Sequence, residues 1–242
     1  MSRNNLYRLL KHLTFGKTCK YFDMLSRIKN NKILIVKKDG KIKEIKKVKG
    51  LTIKFLGQNS VVKIHEPYRF INCYFEVGDD NIIEIKQTNF YIKDLIIPAR
   101  MSRYSKLLID SDCSVEGAKI WLHDEPERIV KIGKDCMLSF DITIWPSDGH
   151  AIIDDKGDAI NKPKNIMIGN HVWVGTQCLI LKGANIPDGS ILGARTLYTS
   201  ASNPKNSKKP YIFCGQPAKV LKSGNFIWDR NNTYYFNKKD YK

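Results

Sequence analysis

Ile168-Gly-Asn-His-Val-Trp-Val-Gly-Thr-Gln-Cys-Leu-Ile-Leu-Lys-Gly-Ala-Asn-Ile-Pro-Asp-Gly-Ser-Ile-Leu-Gly-Ala-Arg-Thr-Leu197 is the stretch that decides the fold. Within it Ile168, Val174, Ile180, Ile186 and Leu192 stand six residues apart without a break. A fixed short period marks a repeat architecture. Two positions before each following aliphatic stands Val172, Cys178, Ala184 or Ser190, and residues two apart on a strand point to the same side. Each strand therefore offers one small and one large residue to a single interior. Gly169, Gly175 and Gly193 follow three of the aliphatics, where a tight change of direction favours a residue without a Cβ. Three hexads make one coil. Stacked coils bury a continuous aliphatic column and pair their backbones from coil to coil, so no repeat is stable alone. The expectation is an all-β protein built as a parallel β-helix. An antiparallel sandwich of short strands has no need of a strict period of six.

Upstream, Ile132, Leu138 and Ile144 continue the phase, with Cys136 and Ile142 in the companion slots. A polar loop, Ala151 to Lys164, then interrupts the repeats. From Leu51 to Ile132 short β-branched bursts alternate with Gly, Asn and Asp, which reads as many short strands. Lys32 to Val48 alternates apolar and basic residues around Asp39-Gly40, a hairpin signal. Asn5 to Phe15 places Leu6, Leu9, Leu10 and Leu13 on one helical face. Three segments follow: a basic N-terminal helix and hairpin region over 1–50, a β-helix over 51–222 carrying a loop at 151–165, and a C-terminal tail over 223–242.

The chain has 242 residues, and Lys+Arg 41 against Asp+Glu 24 give it a net charge of +17, heaviest in the first fifty residues. Such a field favours anionic partners. No helix-turn-helix, zinc-finger or RNA-recognition signature accompanies it, so a nucleic-acid partner is not expected. An acidic glycan, a phosphorylated cofactor and peripheral contact with an anionic membrane surface fit the charge. No apolar run reaches the length of a membrane span and no signal peptide is legible, so the expected compartment is the cytoplasm. The six cysteines are scattered and read as small buried hydrophobes, and no two of the five histidines have the close spacing of a metal-binding pair.

The stretches Ile168 to Gly175, Ile180 to Ala184, Gly189 to Ala194 and Gly215-Gln-Pro-Ala-Lys219 resemble the hexapeptide-repeat acyltransferases. Within that superfamily they are most similar to the O-acetyltransferases of capsular and lipopolysaccharide sugars and to the galactoside and maltose acetyltransferase branch. The resemblance covers about Ile132 to Arg230. It implies a left-handed helix, acetyl-CoA as co-substrate without a metal, and a sugar hydroxyl of a surface polysaccharide or its precursor as acceptor. It also implies a homotrimer with active sites between subunits, and here Leu179 and Ile191 join Trp173 as outward apolar positions that want cover.

Residue by residue, the resemblance puts the general base on His150, in Ser147-Asp-Gly-His150. A neutral imidazole can take the proton of a hydroxyl as it attacks a thioester, and a backbone N–H can stabilise the oxyanion that results. Strict continuation of the hexads would instead turn His150 into the core, six residues after Ile144. Asp148 either orients that imidazole or touches the acceptor. Trp173, between inward Val172 and Val174, points outward and lines the acceptor or thioester side. His171, in the same motif, is the rival histidine. The coenzyme is expected along Thr176, Ala194, Thr199 and Ser200, with Lys219 and Lys222 near its phosphates, and Lys208 and Lys209 are further candidates. Arg195 departs from the family pattern, which often has glycine there. Transfer of the same kind to an amino-sugar nucleotide, and a non-catalytic binding solenoid, are the alternatives.

Overall fold

The structure, a computed structural model, describes residues 29–122 and 126–231. The expected helix over Asn5 to Phe15 lies outside the described residues. The described chain winds through three sheets, two of eight strands and one of seven, visited in rotation. The first sheet runs from Asn185–Ile186 through Ile166–Ile168 and Ile129–Ile132 to Lys32–Val36. The second runs from Lys219–Ser223 through Trp173–Val174 to Phe70–Ile71, and the third from Leu197–Tyr198 through Ile142–Trp145 to Leu51–Phe55. Coil stacks on coil in parallel, as Ile132 on Ile168 on Ile186. This is a left-handed parallel β-helix.

The hexad rows are the core. Leu138, Val174, Leu192 and Phe213 form one file, and Ile144, Ile180 and Tyr198 another. None of these, nor Ile132, Ile168 or Ile186, is more than 2% exposed. The companion residues Val172, Cys178, Ala184 and Ser190 are buried beside them. Cysteine suits this slot for a second reason: its thiol reaches the carbonyl of the next coil, Cys136 to Gly169 and Cys178 to Gly193, each at 3.1 Å. Cys73, Cys113, Cys136 and Cys178 are buried and unpaired, and Cys214 is half-buried. Cys19 is outside the described residues.

The glycines after the aliphatics do something other than turn the chain. Left-handed backbone falls three residues after each aliphatic, at His171, Gln177, Gly183, Gly189 and Arg195. Gly169 and Gly175 are required by close approach instead: a Cβ on Gly169 would sit 2.7 Å from the Asp188 nitrogen, and one on Gly175 2.7 Å from the Leu192 carbonyl oxygen. The coils touch backbone to backbone there. Arg195, with φ 60°, occupies a position that glycine takes freely and a side-chain-bearing residue takes at about 1 kcal/mol.

Spacing separates the later coils from the earlier ones. Asn170 bonds Asp188, eighteen residues on, whereas upstream corners are linked across 21 to 24 residues. The extra residues collect at the corners and bring buried polar groups with them. Asn81 is fully buried and donates to the Ser102 carbonyl (3.2 Å), while its side-chain oxygen accepts from Ser102 (3.0 Å) and from the Ser105 N–H (2.9 Å).

Both ends of the column fold back as antiparallel pairs. Lys32–Val36 pairs with Ile42–Ile45 around a turn closed by Gly40 N–H to Lys37 O (2.9 Å), as the Asp39-Gly40 signal implied. The same strand stacks in parallel on Val61–His65, so the column reaches up to Lys32, inside the segment assigned from sequence to the N-terminal region. At the other end Tyr211–Cys214 pairs with Lys219–Ser223. There Tyr198 and Phe213 meet edge to face at 5.0 Å, and burial pushes the Tyr198 hydroxyl pKa upward. Large aromatics close this end of the column.

Candidate active site

The corner after Ile142–Trp145 is where the repeat breaks. Ser147 is buried and its Oγ accepts from the Gly149 N–H at 3.0 Å, and Gly149 turns through left-handed backbone, φ 79°. That turn throws His150 out of the phase that would have buried it, and its side chain is exposed. Lys164 N–H returns to Pro146 O (3.1 Å) and closes the neck of the loop.

Two residues absent from the sequence-based site organise that neck. Asn161 donates to Asp148 Oδ2 (2.9 Å) and to the His150 carbonyl (2.8 Å), and accepts from the Ile152 N–H (2.7 Å). Lys182, one coil on, donates to Asp148 Oδ2 and to the Asn161 carbonyl (2.7 Å). The Lys182 hydrogen bond holds the Asp148 carboxyl below its ordinary pKa. Asp148 thus binds Lys182 and Asn161, and no hydrogen bond joins it to the His150 ring among the described residues. A Lys three residues after an aliphatic-bearing strand start, facing a loop rich in Asp and Asn, is a pattern too common to single out from sequence.

Trp173 is 38% exposed and stands between Met137 and Ile191 on the outer face of the second sheet. It does not stand alone. Trp228, from the tail over 223–242, is buried and lies 6.2 Å from it, tilted by 50°. Trp228 stacks on His171 at 4.0 Å, almost parallel, and the two exchange bonds: Trp228 Nε1–H donates to the His171 carbonyl (2.8 Å) and His171 Nε2 faces the Trp228 carbonyl (2.9 Å). His171 Nδ1 meets Asp135 Oδ2 at 2.6 Å. Arg230 then grips the same Asp135 through Oδ1 (3.1 Å), the Cys136 carbonyl (3.0 Å) and Ser114 Oγ (2.6 Å), with its guanidinium 4.4 Å from the centre of the Phe90 ring. This strap was not visible as a site. Its only trace in the sequence is the aromatic pair Phe226 and Trp228 in a polar tail.

The residues assigned to the coenzyme fall into three groups. Thr176 and exposed Ala194 lie on the corner between the second and third sheets, where Thr176 Oγ1 donates to the Phe140 carbonyl (3.1 Å) and Arg195 N–H to the Thr176 carbonyl (2.8 Å). Arg195 reaches along this corner to Gln177 Oε1 (2.9 Å). Thr199 and Ser200 occupy the next corner, the one from which the His150 loop leaves two coils earlier. Thr199 caps the short 3-10 turn Ser200–Ser202, accepting from Ala201 N–H (3.2 Å). Lys219 and Lys222 are exposed on the edge strand opposite Cys214 and Ile212, without a carboxylate partner among the described residues. Lys209 lies over the Tyr211 ring at 5.9 Å, and Lys208 N–H bonds Asn206. A single chain places His150 at one corner and Trp173 on a different sheet face, and no contact joins the two.

Hexad period and three-sheet prism define a hexapeptide-repeat protein of the left-handed β-helix fold. More particularly, part of the chain is similar to polysialic acid O-acetyltransferases. It is 35% identical over 104 residues to that of Escherichia coli O1:K1 / APEC, covering 43% of this chain and 32% of the relative. It is 40% identical over 82 residues to that of Neisseria meningitidis, covering 31% and 38%. The chain thus matches about a third of the length of these curated relatives. Among solved structures, the polysialic acid O-acetyltransferase OatWY superposes with a TM-score of 0.68 at 26% identity, over 88% of this chain and 94% of that one. No protein-family model matches.

Proposed function

We propose that the chain is an acetyl-CoA-dependent O-acetyltransferase whose acceptor is a sugar hydroxyl of a surface polysaccharide or its precursor. The observation that carries this reading is the likeness to OatWY over nearly the whole of that chain, with the Ser-Asp-Gly-His corner turned outward at the loop. Bound acetyl-CoA supplies the activated acyl group. Exposed Ala194 leaves its corner unobstructed, Thr176, Thr199 and Ser200 offer hydroxyls along the two corners, and unpaired Lys219 and Lys222 suit phosphates. His150 takes the acceptor proton at a ring nitrogen with no hydrogen-bond partner among the described residues. Trp173 offers an aromatic wall to the acceptor or thioester side. Asp148, fixed by Lys182 and Asn161, holds the neck so that His150 keeps its place.

The site is read as shared between copies in a homotrimer. His150 and Trp173 sit on different faces of one chain, and the loop carries Ile152, Ile153 and Ile160 each more than half exposed, an apolar set that wants cover. The expected compartment remains the cytoplasm. Among the described residues no helix is long and apolar enough to cross a membrane. Incubating the purified protein with labelled acetyl-CoA and a panel of capsular, lipopolysaccharide and nucleotide-sugar acceptors tests the activity. Label transfer to a glycan hydroxyl supports it, and transfer only to an amino group overturns it. Light scattering that finds a monomer at micromolar concentration removes the shared site.

A further inference from the structure

Far from the loop, near the N-terminal end of the second sheet, lies a cavity of about 630 Å³ between Lys38, Lys49, Tyr68, Arg69 and Tyr91. Its charge is one-sided. Glu66, also at its edge, is bonded to Lys37 at 2.7 Å, while Lys38, Lys49 and Arg69 have no carboxylate partner among the described residues. Tyr91 is 45% exposed, with the Arg69 guanidinium 5.6 Å and the Lys93 ammonium 5.3 Å from its ring centre.

Position ties the cavity to the proposed active site. Phe70 pairs with Ile92, Ile92 with Val115, Ser114 with Met137, and Met137 with Trp173. Arg69, Tyr91, Ser114, Met137 and Trp173 therefore form one outward row. At the spacing of paired strands Tyr91 is about 14 Å, and Arg69 about 19 Å, from Trp173. The row runs along one face and is crossed at Ser114 by Arg230 of the strap, so a single extended ligand touches both ends by passing over that side chain.

We infer that this cavity is a second glycan subsite that binds a carboxylate-bearing sugar unit of an extended acceptor while another part of the same chain reaches Trp173. The inference rests on the acceptor class proposed above. Unpaired cations supply the partners a carboxylate requires, with the planar Arg69 fork suited to two-point contact. Tyr68 and Tyr91 supply flat apolar surface of the kind a sugar ring covers, each with a hydroxyl for hydrogen bonding. A basic partner is disfavoured, and so is residues 1–28 of this chain, which carry six Lys and Arg against one acidic residue.

The test measures binding by calorimetry without acetyl-CoA, so it stands apart from the activity. The full chain, an Arg69→Ala/Lys49→Ala variant and Tyr91→Ala are titrated with sialic acid monomer, with long sialic acid oligomers, with neutral dextran and with vesicles containing anionic phospholipid. Wild type should bind the oligomers more tightly than the monomer, and more weakly as salt rises. Each variant should weaken oligomer binding about tenfold, the scale of a lost charge-assisted contact, and weaken the monomer's weaker binding as well, since the monomer is the unit the cavity holds. Arg69→Lys should retain part of the affinity. Unchanged oligomer affinity in both variants overturns the subsite, as does equal binding of dextran. A loss confined to vesicles overturns it in favour of a membrane contact. Should acetyl transfer fail on every acceptor while Arg69-dependent oligomer binding persists, the enzymatic reading falls and the subsite stands.

Discussion

Two histidines near the same motifs have opposite surroundings. His150 projects from the neck of the loop, and among the described residues only its backbone carbonyl is engaged, by Asn161. His171 has both ring nitrogens committed, to Asp135 and to the Trp228 carbonyl, and its flat face covered by the Trp228 ring. Residue type does not separate them; surroundings do. A histidine with both nitrogens and one face occupied is a fastening. One at the mouth of a loop, with a free ring, can meet a hydroxyl. The contrast supports His150 as the base and gives His171 a different task, that of anchoring the strap.

Replacing each histidine is the strongest way to break that contrast. His150→Ala should lower kcat by about a hundredfold or more, with thermal stability and coenzyme affinity unchanged. His171→Ala should instead lower stability by about 2 kcal/mol, from two lost hydrogen bonds and a lost stack, with a much smaller loss of kcat. Steady-state kinetics beside a thermal melt measures both. A reversal, with His171→Ala inactive but fully stable, would remove the assignment of the site and leave the β-helix intact.

The strap comes next in size. Trp228→Ala removes a side chain only 6% exposed and should cost about 3 kcal/mol of stability, the lower end for a buried aromatic truncated to alanine. Since Trp228 also leans on Trp173, KM for the acceptor should rise while kcat changes little. Denaturant unfolding and acceptor titrations check the two arms. A KM that does not move would reduce the strap to a fastening alone.

What could be read beforehand follows the same division. Ile168 to Leu192 was legible because one strict period places every large aliphatic inward. The coils before Ile132 were legible only in texture, because corners such as the one around Asn81 add residues that break the period. The exit of His150 could be foreseen from Pro146 and Gly149, yet the partners of Asp148 could not, since Lys182 comes to it from 34 residues away. The strap lay further out of reach. Its bonds join residues 57 to 116 apart, and nothing periodic announces them. The turn role given to Gly169 and Gly175 failed for a related reason, because the demand on them comes from the neighbouring coil rather than from their own backbone.

A smaller effect belongs to the loop neck. Lys182→Ala releases Asp148 and the Asn161 carbonyl together and should cost about 1–2 kcal/mol in kcat/KM through misplacement of His150, with the His150→Ala residual rate unaffected by the second change. A double-mutant cycle in which the two losses simply add would show that Lys182 works independently of His150.

His65 offers the smallest and cleanest control, a histidine paired with a carboxylate on the outer face of the first sheet with neither loop nor strap nearby. Its Nε2 meets Glu84 Oε1 at 2.8 Å, and Lys86 and Lys63 reach the same oxygen at 2.8 and 3.2 Å. Burial alone would raise the Glu84 pKa, but the hydrogen bonds from Lys86, His65 and Lys63 outweigh it and bring it from 4.5 down to about 2. Burial likewise lowers the His65 pKa from its ordinary value. Both groups hold fewer protons in the folded chain than in the unfolded one, so the unfolded state gains as pH falls. The Glu84 contribution is whole above pH 4.5 and disappears as pH falls towards 2, and the His65 contribution begins to decline below its ordinary pKa of 6.5. Glu84→Gln should therefore lower stability by about 1 kcal/mol at neutral pH and flatten the acid limb of the stability curve between pH 4.5 and 2, with catalysis untouched. Melting curves collected across that range decide it: a Glu84→Gln limb as steep as the wild type's would mean that other carboxylates govern the acid response of these coils.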